Sequence, residues 1–527
     1  MNNRSNSTLK TFLHYAAMLM VPLLLFCLPL VLKSYYGPYF LGYNSDPDYA
    51  YLLNSLNIIN GIPPGHTDHP GTTVHLLGAV GLIVKWLSHM AKGGQLGVNE
   101  LVLRHPEESL HAINLLINIL IFIAIIFTSL SLYKAMKGIG SVIVFQLSLL
   151  VPLQIKLSLF RVDPEPLLVF SVIVLSGLLV QYQKRIPETI YWFKMPILVG
   201  MIMGFGLATK VTFLPLLLFI VLFPTAKERL LAVCGCVTSF LLFTLPIISQ
   251  FRRMLNWFKS LTLHKGIYGE GDVGIPAITD LWGNLLNLIQ QEPFLFIFMA
   301  CYLISIVLRK SLAKQTVTDN KLLVLGTGVI IVQYLMTAKH PGIHYMLPAI
   351  TLIALLNVNL VASLKQYLSI SNTRIGEMLL YALIIVGIIY GVSSTKSWAI
   401  ESRRNFQDDI KLSNVIATMK GCSVINHYRG SSIEYALSFG NDYANSSYGK
   451  ELSIIYPDVL FYNIWSGTYY NYIRTLDAGM VSDLFMKNRC LLMVGMPLDD
   501  NYKKNLALTP LVETTRSAVY KLEGFKF

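Results

Sequence analysis

The sequence predicts a polytopic α-helical membrane protein with about 11 transmembrane helices, followed by a C-terminal extracytoplasmic α/β domain. The first observation behind this prediction is composition: hydrophobic residues make up 54% of the 527 residues and charged residues 13%, with a mean hydropathy of +0.55. Soluble domains usually carry about 25% charged residues, so this composition indicates a membrane protein. The second observation is a change of pattern after residue 398, where strand-like and helix-like segments alternate as in a small α/β domain.

Eleven apolar segments before residue 398 are candidate transmembrane helices. Several are shorter than the usual length of about 20 residues, and 195–224 could form one kinked helix instead of a hairpin. The segments are 11–33, 110–133, 139–160, 166–182, 195–208, 212–224, 230–249, 293–308, 322–338, 343–363 and 376–394.

Basic side chains decide between the alternative topologies. With the N-terminus in the cytoplasm, every cluster of Lys and Arg between the segments falls on the cytoplasmic side. A single span over 195–224, or a span over the apolar run 72–90, would move later clusters outside. We therefore expect a hairpin over 195–224, and a helix lying at the outer interface over 72–90. The clusters are Lys134 and Lys137; Lys184, Arg185 and Lys194; Lys227 and Arg229; Arg309, Lys310, Lys314 and Lys321; and Lys365 and Arg374.

The domain organisation follows from these segments. Residues 1–397 form the membrane domain, in which 34–109 is the first outer loop, with a short amphipathic helix over 48–60, and 398–527 form the soluble domain. The net charge is +13, but the soluble domain carries 14 Lys and Arg against 13 Asp and Glu. The excess positive charge therefore belongs to the membrane domain, where it can flank anionic headgroups or bind a phosphate. No basic patch interleaved with aromatic residues indicates nucleic acid.

The soluble domain has its own set of predicted elements. Its two cysteines could pair in an oxidising compartment, but each opens a buried strand, so we expect both to be unpaired core residues. The predicted strands are Cys422–Asn426, Leu452–Ile455, Cys490–Val494 and Ala518–Leu522, and the predicted helices are Ser431–Leu437 and Ala478–Lys487.

The stretch from Tyr43 to Thr73 concentrates ionisable groups and prolines directly after the first apolar segment. Such groups beside a membrane-spanning helix are costly unless they face water or a polar ligand. Asp46 and Asp48 flank a proline, and a carboxylate here could take a proton from a hydroxyl in a group-transfer reaction. An isolated Asp would more simply cap a helix. The second cluster, Asp68 with His69, favours the catalytic interpretation.

A second acidic motif precedes the fourth apolar segment and contains Arg161, Asp163 and Glu165. Its carboxylates could bind a divalent metal or orient sugar hydroxyls. The alternative is that Asp163 and Pro164 only mark the start of the following helix.

Lys210 lies at the tight turn between two short apolar segments. Its ammonium group could bind a phosphate and stabilise the charge that develops on it as a leaving group. The alternative is a lysine that snorkels to the membrane interface.

Two further groups of residues could contact a ligand. His264 opens a glycine-rich loop over 264–271, and Lys339, His340 and His344 stand at the start of the late apolar segment 343–363. Interfacial anchoring is the alternative for the late group. A divalent metal at Asp163 or Asp68 is the one candidate cofactor; no zinc-site spacing of cysteines is present.

These motifs, in this order, resemble those of the GT-C glycosyltransferases that use polyprenyl-phosphate-linked sugars. That superfamily includes the protein O-mannosyltransferases and the lipid A aminoarabinose transferase. The resemblance covers roughly residues 10–400 and rests on the acidic pair Asp46 and Asp48, on His69-Pro70-Gly71, on Asp163, on Ala208-Thr209-Lys210 and on His344-Tyr345-Met346-Leu347-Pro348.

The resemblance implies a GT-C-like fold and an inverting transferase that acts outside the cytoplasmic membrane or in the ER lumen. It implies that the base is Asp46 or Asp48. It further implies that the lipid phosphate contacts Lys210, Arg161 and the late His and Lys residues. Many members have Asp-Glu where this chain has Asp46-Pro47-Asp48, which leaves open which aspartate is the base.

The expected partners are a polyprenyl-phosphate-linked sugar donor, a glycan, lipid or protein acceptor, and membrane lipids. The expected location is the plasma (inner) membrane of a bacterium, with a cytoplasmic N-terminus. Two alternatives remain: a transporter or flippase of lipid-linked sugar, and a polysaccharide polymerase or ligase. A transporter would carry ionisable groups near mid-membrane and often an inverted repeat, and neither is visible here.

Overall fold

The computed structural model of the chain describes residues 2–184, 194–266, 269–274, 276–312, 321–367, 370–477, 479–481 and 490–523. The chain forms two compact units. The first unit consists of Met1–Leu30, Thr67–Thr73 and Leu116–Lys396. The second unit consists of Val31–His66, Val74–Leu115 and Ser397–Phe527.

Helices dominate the chain up to residue 418. Short 3₁₀ helices over Gly42–Asn44, Val211–Leu222, Leu245–Gln250 and Ile343–Met346 connect or precede several of them. The α-helices are α1 (Asn2–Tyr36), α2 (Ser45–Ile59), α3 (Thr72–Ala91), α4 (Val98–Arg104), α5 (Pro106–Met136), α6 (Ile139–Leu149), α7 (Leu153–Ser158), α8 (Pro164–Lys184), α9 (Lys194–Thr209), α10 (Ala226–Thr244), α11 (Phe251–Leu263), α12 (Ile278–Gln291), α13 (Pro293–Leu312), α14 (Lys321–Lys339), α15 (Leu347–Tyr367) and α16 (Ile370–Thr418).

Within the described residues, eight helices are long and apolar enough to cross a bilayer, or up to nine if the bent pair α12 and α13 forms one span. Three shorter apolar helices, α6, α9 and Val211–Leu222, supplement them. The predicted multi-pass helical architecture is therefore confirmed. The predicted orientation stays a prediction, and two residues of its basic clusters, Arg185 and Lys314, lie outside the described residues.

The predicted spans 139–160 and 212–224 differ in local structure from a continuous α-helix. The segment 139–160 is broken, because Pro152 caps α7 and cannot continue the hydrogen-bond ladder of α6. The segment 212–224 is a 3₁₀ helix of 12 residues. Its rise of about 2.0 Å per residue gives a length of about 24 Å, against about 18 Å for an α-helix of 12 residues.

The segment 250–291, which lies between the predicted spans 230–249 and 293–308, contains two helices, α11 and α12. Both expose large apolar side chains: Trp282 is 62% exposed and Leu255 is 58% exposed. An apolar face of this kind beside a membrane domain is typical of interfacial helices. The chain then bends by 98° between α12 and α13.

Glycines bring α9 and α10 into close backbone contact in the first unit. A Cβ atom placed on Gly200 would lie 2.0 Å from the carbonyl oxygen of Ala232, and one on Gly204 would lie 2.2 Å from that of Cys236. Small residues allow such close packing of helices in membranes. This contact fixes the position at which α9 ends and the Lys210 turn begins.

The second unit contains a six-stranded sheet of order β3-β2-β1-β4-β6-β5. The neighbours β2, β1 and β4 run parallel, and the remaining pairs are antiparallel. The buried core residues Ile425, Met493 and Tyr520 lie on three of these strands. The strands are β1 (Ser423–Asn426), β2 (Leu460–Asn463), β3 (Thr468–Tyr470), β4 (Leu491–Gly495), β5 (Leu508–Glu513) and β6 (Ala518–Leu522), and the helices are α17 (Ile433–Tyr443), α18 (Gly449–Ile455) and α19 (Asp500–Asn505).

The predicted α/β character of this region is confirmed, with one element wrong. Leu452–Ile455 belongs to α18 and is not a strand, because four residues, three of them apolar, are too few for a periodicity that separates the two structures. The predicted helix Ala478–Lys487 lies largely outside the described residues.

Cys422 and Cys490 form a disulfide bond, so the expectation that they are unpaired was wrong. The parallel register of β1 and β4 places Ser423 opposite Leu491. The residues immediately before these strands are therefore also opposite each other, and their Cα atoms lie 4.5 Å apart. This separation is within the range that a disulfide bond spans.

Candidate functional site

The site in the first unit is built around Lys210, at the turn between α9 and the following 3₁₀ helix. Lys210 has an extended backbone and forms an antiparallel bridge with Pro70. On either side of this bridge, the amide of Val211 donates to the carbonyl of His69 at 3.1 Å, and the amide of Gly71 donates to the carbonyl of Thr209 at 3.2 Å. The two motifs of the sequence, the His-Pro-Gly segment and the lysine turn, are thus joined by main-chain hydrogen bonds.

The Lys210 side chain points inward. Its Nζ donates to Oε1 of Glu165, and the two residues are 3% and 8% exposed. The same Nζ lies 4.8 Å from the centre of the Tyr345 ring, within the range of a cation–π interaction. A snorkelling lysine would extend to the interface, so that alternative is wrong.

Asp163 positions Glu165 at the start of α8. Its Oδ1 accepts a hydrogen bond from the amide of Glu165 at 3.2 Å, and Pro164 occupies the first helical position. This is the pattern of a capped helix N-terminus. Asp163 is also 7% exposed. In this structure the Asp163 side chain therefore caps the start of α8, as the start-of-helix interpretation predicts.

Histidines and an arginine complete the cluster around the Lys210–Glu165 pair. His344 interacts electrostatically with Lys210, Glu165 and Arg161, and its ring lies 4.0 Å from that of Tyr345. His69 interacts with Glu165 in the same way. The structure thus brings together five of the residues predicted from the sequence, on separate segments of the chain.

Gln333 connects this cluster to α14. Its Nε2 donates to the carbonyl oxygens of Thr212 at 3.0 Å and Tyr345 at 2.6 Å. Gln333 lies outside the motifs visible in the sequence, although a glutamine inside an apolar span is itself a signal of a functional or packing role. Gln333 therefore holds the Lys210 turn and the Tyr345 segment at a fixed separation.

A cavity of about 500 Å³ opens beside the cluster. His69, Lys210 and Tyr345 contribute polar atoms to its lining. Most of its wall is apolar and comes from Leu214, Trp257, Phe258, Leu261, Leu335 and Met336. A cavity of this size with an apolar wall and a few convergent polar groups is typical of a ligand site.

Lys339 and His340 also line the cavity, but their side chains are already engaged. Lys339 donates to the carbonyl of Thr262, and Nε2 of His340 lies 3.1 Å from the carbonyl oxygen of Leu261. These carbonyls belong to the last turn of α11, where cationic groups are favoured. Burial lowers the pKa of His340.

His264 does not belong to the residues that line the cavity. Its Nδ1 lies 2.6 Å from the carbonyl oxygen of Gly271, and its backbone forms an antiparallel bridge with Val273. The glycine-rich loop therefore closes on itself. Residues 267 and 268 of this loop lie outside the described residues.

Asp46 and Asp48 belong to the second unit and differ in exposure. Asp46 is exposed and has a non-helical backbone (φ −97°, ψ 121°), whereas Asp48 is fully buried. The helix α2, whose first turn contains both aspartates, is anchored in its own unit, since the hydroxyl of Tyr49 donates to Glu107 at 2.9 Å. Burial, with the adjacent Glu107 carboxylate, raises the pKa of Tyr49.

Asp68, the other candidate metal ligand, is partly exposed in the first unit. Within the described part of the chain, no group of three His, Cys, Asp or Glu side chains is arranged to hold a metal ion.

No protein-family model matches the chain, and no curated protein matches it. Two solved structures do. The structure of ArnT from Cupriavidus metallidurans bound to undecaprenyl phosphate has a TM-score of 0.51 and 11% sequence identity, and the match covers 98% of this chain and 100% of that one. The structure of ArnT from the same organism in the apo state has a TM-score of 0.53 and 12% identity, over 99% and 100% of the two chains.

The chain has the fold of ArnT. The predicted fold class, a polytopic helical membrane protein with a C-terminal α/β domain, is therefore confirmed, and the fold of ArnT agrees with the resemblance drawn from the sequence motifs. The match covers nearly the whole of this chain, so the C-terminal α/β domain is included in the comparison. At 11% and 12% identity the likeness to ArnT is one of fold.

Proposed function

We propose that this protein is an inverting glycosyltransferase that moves a sugar from a polyprenyl-phosphate donor to an acceptor hydroxyl at the outer face of the membrane. The observation that carries the proposal is the cavity beside Lys210, with its long apolar wall and a cluster of cationic and imidazole groups at the lining. Such a site matches a ligand with a hydrocarbon tail and an anionic head. The ArnT fold supports the proposal, because one of the matching ArnT structures is bound to undecaprenyl phosphate.

The role of Lys210 is to stabilise the leaving phosphate. As the bond between the anomeric carbon and the phosphate oxygen breaks, negative charge develops on that oxygen. A cation that is already oriented stabilises this charge without having to reorganise. Glu165 and Tyr345 orient the Lys210 ammonium group in this way. Arg161, His69 and His344, with Lys339 and His340 on the cavity wall, are the further phosphate contacts that we propose.

The acceptor oxygen attacks the anomeric carbon from the opposite side, which inverts its configuration, and its proton passes to a carboxylate. We assign this base to Asp46, since a base must be accessible to its substrate and Asp46 is the exposed member of the pair. Asp48 is fully buried, and we assign it a positioning role. Asp163 is proposed to orient the donor sugar indirectly, through its hold on Glu165.

The outer location is part of the proposal. It is supported by the Cys422–Cys490 disulfide in the C-terminal domain, because disulfide bonds persist mainly in oxidising compartments. A base in the first outer loop and a C-terminal domain outside would then share one side of the membrane.

The test is sugar transfer by the purified full chain in lipid nanodiscs. Polyprenyl-phosphate-linked hexose, pentose and aminosugar donors are offered with a pool of envelope glycans and lipids, and release of polyprenyl phosphate is followed by mass spectrometry. Asp46→Asn should lower the rate by about 10²-fold or more, the effect of removing a general base. Asp458→Asn, an exposed residue of the same unit, is the matched control.

Two results would contradict the proposal. One is full activity in both Asp46→Asn and Asp48→Asn. The other is movement of intact donor between leaflets with no release of polyprenyl phosphate from any donor, which is the behaviour of a flippase.

A further inference from the structure

The carboxyl edge of the parallel part of the sheet carries a cluster of aromatic and basic side chains in the second unit. The chain leaves β1 towards β2 on one side, and β4 lies on the other side of β1. Ligands of open α/β sheets bind at the carboxyl ends of strands where the order reverses in this way. Tyr428 follows β1 and Trp465 follows β2, and their rings lie 4.7 Å apart. The amide of Met496, after β4, donates to the carbonyl of Tyr428 at 3.0 Å.

Arg429 lies in the centre of this edge. Its guanidinium is 3.9 Å from the centre of the Tyr43 ring and 5.0 Å from that of Tyr428. Within the described part of the chain, these ring contacts are the interactions of the guanidinium group, and no carboxylate pairs with it. A guanidinium stacked on aromatic rings keeps its N–H edge available, and that edge matches a carboxylate or phosphate in a bidentate geometry.

The backbone holds Arg429 in place. Its φ of 59° lies in the left-handed region, which bulky residues rarely adopt and which occurs often at ligand sites. Gly42 packs directly on this loop, since a Cβ atom on it would lie 2.7 Å from the carbonyl oxygen of Arg429. The amide of Gly42 also donates to Oγ of Ser431 at 3.1 Å. The loop after β1 and the segment that leads to Asp46 are therefore joined.

A second arginine faces the same tyrosine. The guanidinium of Arg516 lies 5.3 Å from the Tyr43 ring and pairs with Glu401 at 3.5 Å at the surface, where such pairs contribute little. The nearby carboxylate of Asp409 accepts hydrogen bonds from Ser431 at 3.0 Å and Ser517 at 2.7 Å. Those hydroxyls orient the Asp409 carboxylate, whose negative charge acts on Arg516. Among the described residues around Tyr43, Arg429 is therefore the arginine whose guanidinium has no carboxylate partner.

We propose that Arg429, together with Tyr43, Tyr428 and Arg516, binds an anionic group, a phosphate or a carboxylate, carried by the acceptor. The assignment to the acceptor rests on the proposed function. Asp46 follows Tyr43 by only three positions, and that length of chain spans at most about 11 Å. An anion bound at Tyr43 therefore lies close to the proposed base. The acceptor is accordingly an anionic glycan or lipid.

Binding is tested without turnover. The full chain, in nanodiscs of zwitterionic lipid, is titrated with inorganic pyrophosphate at constant ionic strength while tryptophan fluorescence is recorded. Trp465 lies on Tyr428, and Trp465→Phe identifies its share of the signal. Arg429→Gln should raise the apparent Kd for pyrophosphate, measured from this signal, by roughly tenfold or more, as expected for the loss of a charge-assisted contact. Arg474→Gln, an exposed arginine of the same domain, should leave it unchanged.

Equal saturation in the wild type, Arg429→Gln and Arg474→Gln, or no saturable signal in any of them, would overturn the anion site. A second series in nanodiscs that contain anionic lipid separates the two sources of phosphate. If anionic lipid alone saturates the Trp465 signal, the ligand is a headgroup and the acceptor assignment is overturned.

The transfer assay separates this inference from the proposed function. Arg429→Gln should raise the KM for the acceptor about tenfold or more, with the KM for the donor unchanged. Transfer with an unchanged acceptor KM would overturn the acceptor assignment. A wild-type chain that binds pyrophosphate through Arg429 but releases no polyprenyl phosphate would overturn the proposed function and the acceptor assignment, while the anion site would stand.

Discussion

Lys210 and Glu165, which are 45 residues apart in the chain, form a buried ion pair, and Lys210 also lines the cavity. Both side chains are almost completely removed from solvent. Desolvation of two charges is expensive, and loss of one partner leaves the other uncompensated. The stability of the protein should therefore fall strongly when one of the two residues is substituted, and less when both are replaced together.

Glu165→Gln should destabilise the protein by about 3 kcal/mol or more, because it leaves the Lys210 ammonium buried without a counterion. The measurement is the midpoint of denaturant unfolding in detergent, with Glu270→Gln, an exposed residue, as the control. The double variant Lys210→Met with Glu165→Leu should recover much of the stability and none of the transfer activity. Wild-type stability in Glu165→Gln would show that the pair is not buried in solution.

Gly204→Ala should destabilise the protein by roughly 1–3 kcal/mol, the usual cost of overpacking. The added methyl group would lie 2.2 Å from the carbonyl oxygen of Cys236 and would force α9 away from α10. Gly328→Ala in α14 is the matched control, since nothing lies within 4 Å of its Cβ position. There the substitution should stabilise slightly, because alanine is the better helix former. Equal thermal midpoints for the two variants would argue against the tight contact of α9 and α10.

Removal of the Cys422–Cys490 disulfide should destabilise the C-terminal domain by about 4 kcal/mol. The bond links residues 68 positions apart, and a loop of this length loses that much chain entropy in the unfolded state. Hydrogen exchange of β1 and β4 amides in the double alanine variant measures the effect, with Cys27→Ala, at a free cysteine, as the control. Unchanged exchange after reduction or substitution would contradict the prediction.

The C-terminal domain should lose stability as the pH falls from about 6.5 to about 4. His427 is fully buried, and burial lowers the pKa of its imidazole to about 4. In this interval the unfolded chain binds a proton that the folded domain does not. The free energy of unfolding therefore falls by up to about 3 kcal/mol. Above about pH 6.5 both states are neutral and the contribution is constant.

The His427 prediction is checked by comparing pH profiles of hydrogen exchange at the β1–β4 pair. His427→Asn should flatten the profile between pH 6.5 and 4, whereas His89→Asn, at the partly exposed end of α3, should not. An unchanged slope in His427→Asn would show that the imidazole titrates normally in the folded domain.

The membrane architecture could be predicted from composition and apolar segments because a bilayer imposes its requirement locally. Each span must be apolar over its own length, and its backbone groups must be satisfied within the segment. The ends of elements were also visible, since proline and charge mark them: Asp163-Pro164 starts α8, and Lys210 follows α9. The motifs on which the resemblance to GT-C enzymes rests stand at these ends, so the resemblance is visible in the sequence alone.

Pairing across the chain could not be predicted in this way. The bond between Lys210 and Glu165 depends on how α8 and α9 pack, and the Cys422–Cys490 disulfide depends on the register of β1 against β4. Nothing in the residues around Arg429 indicates that Tyr43, almost four hundred positions earlier, forms its stacking surface.

Hydrophobicity and backbone stereochemistry act within a few residues, so the amino-acid sequence is enough to predict a chain of apolar helices and the residues that stand at their ends. The partners of those residues follow only from how the chain packs: Glu165 and Tyr345 for Lys210, and Tyr43 for Arg429. It also separated the two aspartates of the first loop, exposing Asp46 and burying Asp48. Burial and charge pairing are properties of the packed chain, and side chains that are equivalent in sequence acquire different chemistry from them.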